Sequence, residues 1–238
     1  MSNKRENQII QSGIVLEKKQ IANHTFYLKI QSDDFSQMEY VAGYTVDIFI
    51  GNPFTQVDCE DRKYSFWNYE AVYQIADFAI CTFSKGIGAE WIKTLQQGDK
   101  IYFKPPRGKL LVNDSAENYL LIGDITSLSH LYEINRNLPF NKNIFSFIYS
   151  AKPADIFPDI DQSYPFEYYT VNPVSEYTIL NMIKDRLPTN LENTIAYIFG
   201  HPETCITLHN YLKKTRNLPI ENLRTKPFWK TEKEKAIK

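Results

Sequence analysis

The sequence predicts two domains of different class in series: an antiparallel six-stranded β-barrel over residues 1–112, then an α/β domain with a parallel sheet over residues 113–238. Two observations carry this. Up to Lys104, short runs rich in β-branched and aromatic residues follow one another with turn signals between them. Beyond residue 112, strand-like and helix-like runs alternate, the pattern of a parallel sheet covered by helices.

The barrel strands are read from "GIVLEK" (13–18), "HTFYLKI" (24–30), "YTVDIFI" (44–50), "RKYSFW" (62–67), "ADFAICTF" (76–83) and "DKIYFK" (99–104). Phe26, Leu28 and Ile30 fall on one face, as do Val46, Ile48 and Ile50. One segment interrupts the strands: "GIGAEWIKTLQQGD" (86–99) reads as a short helix, Trp91 and Leu95 four apart, closed by Gly98 as a C-cap. "KPPRGK" (104–109) is a turn near the boundary. In the second domain "NYLLIG" (118–123), "NIFSFIYS" (143–150) and "TIAYIF" (194–199) read as buried strands. Helices are expected over 126–137, over 175–188 with Tyr177, Leu180 and Ile183 near one face, and over 202–217 with Pro202 in the first turn.

Composition excludes several classes. The formal net charge of −1 supplies no positive field for nucleic acid. The N-terminus "MSNKRENQII" has no apolar signal core, and no apolar run is long enough for a membrane span, so a cytoplasmic chain with no membrane partner is expected, a monomer by default. Cys59, Cys81 and Cys205 are too dispersed for a disulfide framework, and Cys81 reads as a packed mid-strand thiol. His24, His130, His201 and His209 form no metal-ligand spacing, so no metal site is expected; no nucleophile elbow or P-loop occurs.

Two motifs carry chemistry. In "RKYS" (62–65), Arg62 and Tyr64 share a strand face, with Ser65 on the other unless the strand ends there. An arginine fork suits a phosphate, and a tyrosine ring can lie along a flat ligand. Then "SKGIGAEW" (84–91) puts Gly86 and Gly88 at a helix start, where backbone N–H groups favour an anion. Together they would grip a pyrophosphate from two sides. Polar surface residues on a strand and glycines in a tight turn remain the plain alternatives.

These blocks, with the "GD" and "PRG" turns (98–99 and 106–108), "YLLIGDITSL" (119–128) and the terminal "KPFWK" (226–230), resemble the ferredoxin reductase superfamily, within it the siderophore-interacting proteins, FAD-dependent ferric-siderophore reductases of iron acquisition. The resemblance implies a flavoprotein oxidoreductase. Arg62, with Lys63 beside it in the flavin-binding strand, would hold the FAD pyrophosphate; Tyr64 would pack beside the flavin and Ser65 hydrogen-bond near its N5, making these two the catalytic candidates. Ile80 and Thr82 would line the flavin from the neighbouring strand, and Gly86, Gly88 and Ala89 would present N–H groups. Gly123, Asp124, Thr126, Gly200 and Glu203 would face NADH or NADPH, while Arg224, Phe228, Trp229 and Lys230 would belong to the terminal element that meets the ferric chelate. Departures from the family pattern are Ala89, where a hydroxyl residue is common, and "GDITSL" and "GHPE" in the nucleotide turns. The expected reaction is hydride transfer from NAD(P)H to flavin, then single electrons to a ferric siderophore or other ferric chelate, releasing Fe(II). The alternatives are a reductase that works with a ferredoxin or flavodoxin, and a chelate-binding protein without turnover.

Overall fold

A computed structural model describes residues 9–84 and 86–228. The chain divides into two compact units, Met1–Leu111 and Val112–Lys238.

The first unit holds β1 (Gln11–Ala22), β2 (Thr25–Gln31), β3 (Thr45–Phe49), β4 (Asp61–Ser65), β5 (Asn68–Glu70), β6 (Ile75–Cys81), α1 (Ile87–Thr94) and β7 (Lys100–Phe103). Its strands form one antiparallel sheet in the order β4-β3-β7-β1-β2-β6-β5. Alternation places Leu28 and Ile30, Val46 and Ile48, and Phe78 and Ile80 in one core with Phe35, Phe66 and Phe103. The sheet curls because consecutive residues bond to its two ends. Phe66 N–H donates to Tyr44 O at 3.1 Å, and Trp67 N–H donates to Asp77 O at 2.8 Å. The seventh strand, β5, begins just past that crossing; three residues are too few to show a period.

Helix α1 is shorter than its sequence suggests. Leu95 leaves the helix in an extended conformation and enters the core, which pulls the chain away after Thr94. Gly98 is therefore not the C-cap. With φ +89° it shapes a separate turn, its N–H bonded to Val15 O at 2.8 Å.

The second unit holds β8 (Asn118–Asp124), α2 (Leu128–Asn137), β9 (Asn143–Ser150), β10 (Tyr168–Thr170), α3 (Glu176–Lys184), β11 (Thr194–Gly200), α4 (Pro202–Lys214) and β12 (Leu223–Pro227). The sheet is parallel throughout, ordered β10-β9-β8-β11-β12. Chain order runs outward from β8 in both directions, so the switch point lies between the carboxyl ends of β8 and β11. Leu120, Ile122, Ala196 and Ile198 pack against Ile179, Ile183, Cys205 and Leu208 of α3 and α4. The opposite face carries Gly123 and Phe199, which meet Leu131 and His130 of α2. The expected face of α3 is corrected. A capping box at Ser175 sets the phase, so Ile179 and Ile183 are buried while Tyr177 is 69% exposed. Strand β12, "LRTKP", is polar and basic and so unforeseen; among the described residues it pairs with β11 alone, at the sheet edge.

Candidate functional site

Strand β4 is the edge strand beside β3, with Arg62 opposite Ile48 and Ser65 opposite Thr45. Its Arg62–Tyr64 face is covered by the first turn of α1. A Cβ on Gly88 would lie 2.6 Å from the Tyr64 hydroxyl and 3.2 Å from Arg62 Cγ, so only glycine permits this approach. Trp91, one turn on, stacks on the Tyr64 ring with centroids 6.3 Å apart. Burial pushes the Tyr64 phenol well above its ordinary range. The hydroxyl is thus a packed group rather than a proton carrier, and the ring is what Tyr64 can offer a ligand.

Arg62 is half-exposed and turned back along its own strand, donating to Asp61 O at 2.8 Å and to Glu60 Oε2 at 2.9 Å. Gly86 caps α1 with its own backbone extended. Ala89 N–H is taken by Gly86 O at 2.9 Å, which leaves Ile87 and Gly88 as the residues whose amides a helix start leaves without an intrahelical acceptor. The Arg62 stem thus lies against the first turn of α1 at one edge of the unit. An arginine fork and the amides of a helix start are groups that could hold the diphosphate linker of FAD.

The other candidates from the same motifs are placed differently. Lys63 points to the opposite face of β4, where it pairs with Asp47 at 2.6 Å; Arg107 meets the same carboxylate at 3.1 Å. Burial alone would raise the Asp47 pKa, but these two cations outweigh it and hold the group below its ordinary value. Ile80 is 1% exposed within the barrel core, so its side chain lines no open surface; half-buried Ala79 and Cys81 flank it on the opposite face. Thr82 is half-buried just past β6, its N–H bonded to His24 O at 2.7 Å. Ser65 is the last residue of β4, immediately before the crossing at Phe66. Glu60 carried no sequence signal, since a lone acid before a strand has none until its arginine is located.

In the second unit the structure brings Gly123, Asp124, Thr126, Gly200 and Glu203 together at the switch point. Asp124 is the hub. Its Oδ1 accepts from Thr126 N–H at 2.9 Å and from the Thr126 hydroxyl at 2.5 Å, and its Oδ2 accepts from His201 N–H at 2.8 Å. Gly200, at φ +117°, leaves room for that carboxylate: a Cβ there would lie 2.5 Å from Asp124 Oδ2. Burial raises the Asp124 pKa despite these donors. The Asp124 charge in turn adds to the burial that pushes the Cys205 thiol up to about 12. At the start of α4, Pro202 has no N–H and the His201 amide is committed to Asp124, so the first turn offers a diphosphate few free donors. Phe228 follows β12, its N–H bonded to Gly200 O at 3.0 Å, and its ring stacks on Phe199 and meets His130 edge-on. Arg224 lies on β12 opposite Tyr197 with a buried Nε. Trp229 and Lys230 lie outside the described residues. No helix among the described residues is long and apolar enough to cross a membrane.

No family model and no curated protein sequence matches the chain. Solved structures do. A siderophore-interacting protein from Acinetobacter baumannii superposes with TM-score 0.80 at 13% identity, over 96% of this chain and 95% of that one. The siderophore-interacting protein SipS from Aeromonas hydrophila gives 0.77 at 14%, over 94% and 99%. A ferredoxin-NADP+ reductase from Plasmodium falciparum gives 0.73 at 17%, over 92% and 96%. At these identities the shared property is the fold. The chain has the two-domain fold common to siderophore-interacting proteins and ferredoxin-type reductases.

Proposed function

We propose that this protein is an FAD-dependent reductase of ferric siderophores or related ferric chelates, with electrons supplied by NADH or NADPH. The observation that carries this reading is the fit of α1 onto β4: Gly88 built directly against Arg62 and Tyr64, an anion grip in a reductase-type fold. Bound flavin supplies the conversion of one hydride, a two-electron input, into single electrons for two Fe(III) ions.

The first unit's residues bind and orient. Arg62 and the amides of Ile87 and Gly88 hold the diphosphate, Arg62 exchanging Glu60 for phosphate oxygens. The Tyr64 ring packs along the ligand, its hydroxyl fixed beneath Gly88. Ser65, where β4 ends, donates its hydroxyl near flavin N5. In the second unit, Gly123, Asp124, Thr126, Gly200 and Glu203 shape the nucleotide crevice, with Asp124 holding its two turns in register. Lys230, with Arg224 or Lys226, attracts an anionic chelate, and Trp229 belongs to the same terminal element. The iron is substrate, and its release follows because hard oxygen chelators hold Fe(II) less tightly than Fe(III).

A second reading is favoured by one observation, the commitment of the His201 amide to Asp124. On it, a reduced ferredoxin or flavodoxin supplies the electrons in place of a nicotinamide nucleotide.

An absorbance spectrum of the purified protein is the test. Flavin bands that bleach anaerobically with NADH or NADPH, then return as a ferric siderophore yields Fe(II), are the expected result. Bands that ignore both nucleotides but bleach with a reduced carrier select the second reading. A colourless protein that takes up no added FAD ends both.

A further inference from the structure

Ser65 ends β4 half-buried, and its hydroxyl has no hydrogen-bond partner among the described residues. Where that hydroxyl points is therefore set by the backbone on either side of it. We infer that a buried polar cluster of Asp77, Tyr27 and Asn68 fixes Ser65 for its contact with the flavin, an inference that rests on the flavin reading above. The three are positioning residues, acting through Ser65.

Asp77 lies in β6 between Ala76 and Phe78, both in the barrel core, so its side chain is on the other face of the strand. It is nevertheless only 1% exposed. A buried carboxyl is costly unless partnered, and here both oxygens are engaged. Oδ1 accepts from the Tyr27 hydroxyl of β2 at 2.5 Å, with the Lys29 ammonium 3.9 Å away. Oδ2 accepts from the Asn68 side-chain amide of β5 at 3.0 Å. Lys29 and Asn68 stand directly opposite Asp77 on its two neighbouring strands. Burial, and then the Asp77 carboxyl, push the Tyr27 phenol well above its ordinary range, so it stays a donor. Trp67, buried as well, meets the Tyr27 ring edge-on with centroids 6.0 Å apart.

This cluster grips the chain just past Ser65. Phe66 and Trp67 alone separate Ser65 from Asn68. On the entry side Ser65 stands opposite Thr45 within a full strand pairing, and Phe66 N–H holds Tyr44 O at 3.1 Å. The exit side has less backbone to rely on, because β5 is a strand of three residues. There Asp77 supplies both anchors: its carbonyl accepts from Trp67 N–H at 2.8 Å and its side chain from Asn68. An apolar side chain would sit at position 77 with a smaller desolvation cost. What the carboxyl adds is direction, because its partners lie on both flanking strands and have fixed geometry.

The full chain is loaded with FAD carrying isotope-labelled nitrogen, and the flavin N5 resonance is recorded. Accepting a hydrogen bond moves that pyridine-type nitrogen upfield. Tyr27→Phe and Asn68→Ala change no charge, and each leaves Asp77 with Lys29 and the other partner. Ser65→Ala is expected to move the N5 resonance downfield. Asn68→Ala and Tyr27→Phe should each move it part of the way at unchanged FAD dissociation constants, and neither should move it further once Ser65 is alanine. An Asn68→Ala resonance that stays in place, whatever Tyr27→Phe does, overturns the inference and leaves the flavin reading standing. Shifts that persist in full in the Ser65→Ala background also overturn it, since the cluster would then act on the flavin without Ser65. A resonance indifferent to Ser65→Ala removes Ser65 from N5 and this inference with it. A chain that takes up no FAD ends the flavin reading itself.

Discussion

Arg62 donates to Glu60 and to Asp61 O, so a bound diphosphate has to displace a carboxylate from the same guanidinium. The exchange favours the ligand. An exposed ion pair is worth about 0.2–1 kcal/mol, whereas a charge-assisted contact to phosphate is worth about 1.5–3 kcal/mol. Arg62→Ala is therefore expected to cost FAD binding the difference, about 0.5–2.8 kcal/mol or roughly twofold to a hundredfold in the dissociation constant; an unchanged constant removes Arg62 from the site. Gly88 gives a second prediction at this scale. Gly88→Ala forces a methyl group against the Tyr64 hydroxyl, at an expected loss of about 1–3 kcal/mol of stability, the usual cost of overpacking. Removing that hydroxyl with Tyr64→Phe should recover part of the loss, so a double-mutant cycle reads the contact directly; strict additivity would show that α1 does not rest on Tyr64.

Between α2 and β11, His130 is fully buried against Phe199 and Phe228, and neither ring nitrogen has a hydrogen-bond partner among the described residues. Burial, and then the nearby Lys226 charge, lowers its pKa from 6.5 to about 3. The folded chain thus refuses a proton that the unfolded chain accepts. Stability should fall as pH drops below about 6.5 and keep falling to about 3, the His130 share reaching roughly 2 kcal/mol by pH 5. Asp124, whose pKa is raised, acts in the opposite sense in acid, so the comparison is made with His130→Phe in the same background. That variant should flatten the acid limb of denaturant midpoints against pH. A limb of unchanged slope would place the titration elsewhere.

Over the whole chain, each unit should answer to its own ligand. Hydrogen exchange with FAD present is expected to slow in β4 and the first turn of α1, and a reduced nicotinamide nucleotide to slow the turns at residues 124–126 and 200–204. A ligand in hundredfold excess over its dissociation constant stabilises what it binds by about 2.7 kcal/mol, enough to resolve the two patterns. FAD protection confined to 124–126 would reverse the assignment of the units.

Local pattern made the larger part of this architecture legible. Six of the seven barrel strands, the alternating second unit and the meeting of a strand arginine with a glycine-opened helix all rest on periods of 2 or 3.6 residues, or on residue types with few backbone options. The features missed share a cause. β5, β10 and β12 are short or polar and exist because a neighbouring strand offers hydrogen bonds; Leu95, not Gly98, ends α1 because the core draws it in. The same holds within the candidate site. Glu60 beside Arg62, Lys63 turned toward Asp47, Ile80 enclosed in the core and Asp124 joined to His201 are pairings and packings that periodicity leaves open. Residue type and spacing limit what a segment can become; the partners each side chain meets depend on how distant segments pack, and that is energy shared between them rather than written in either one.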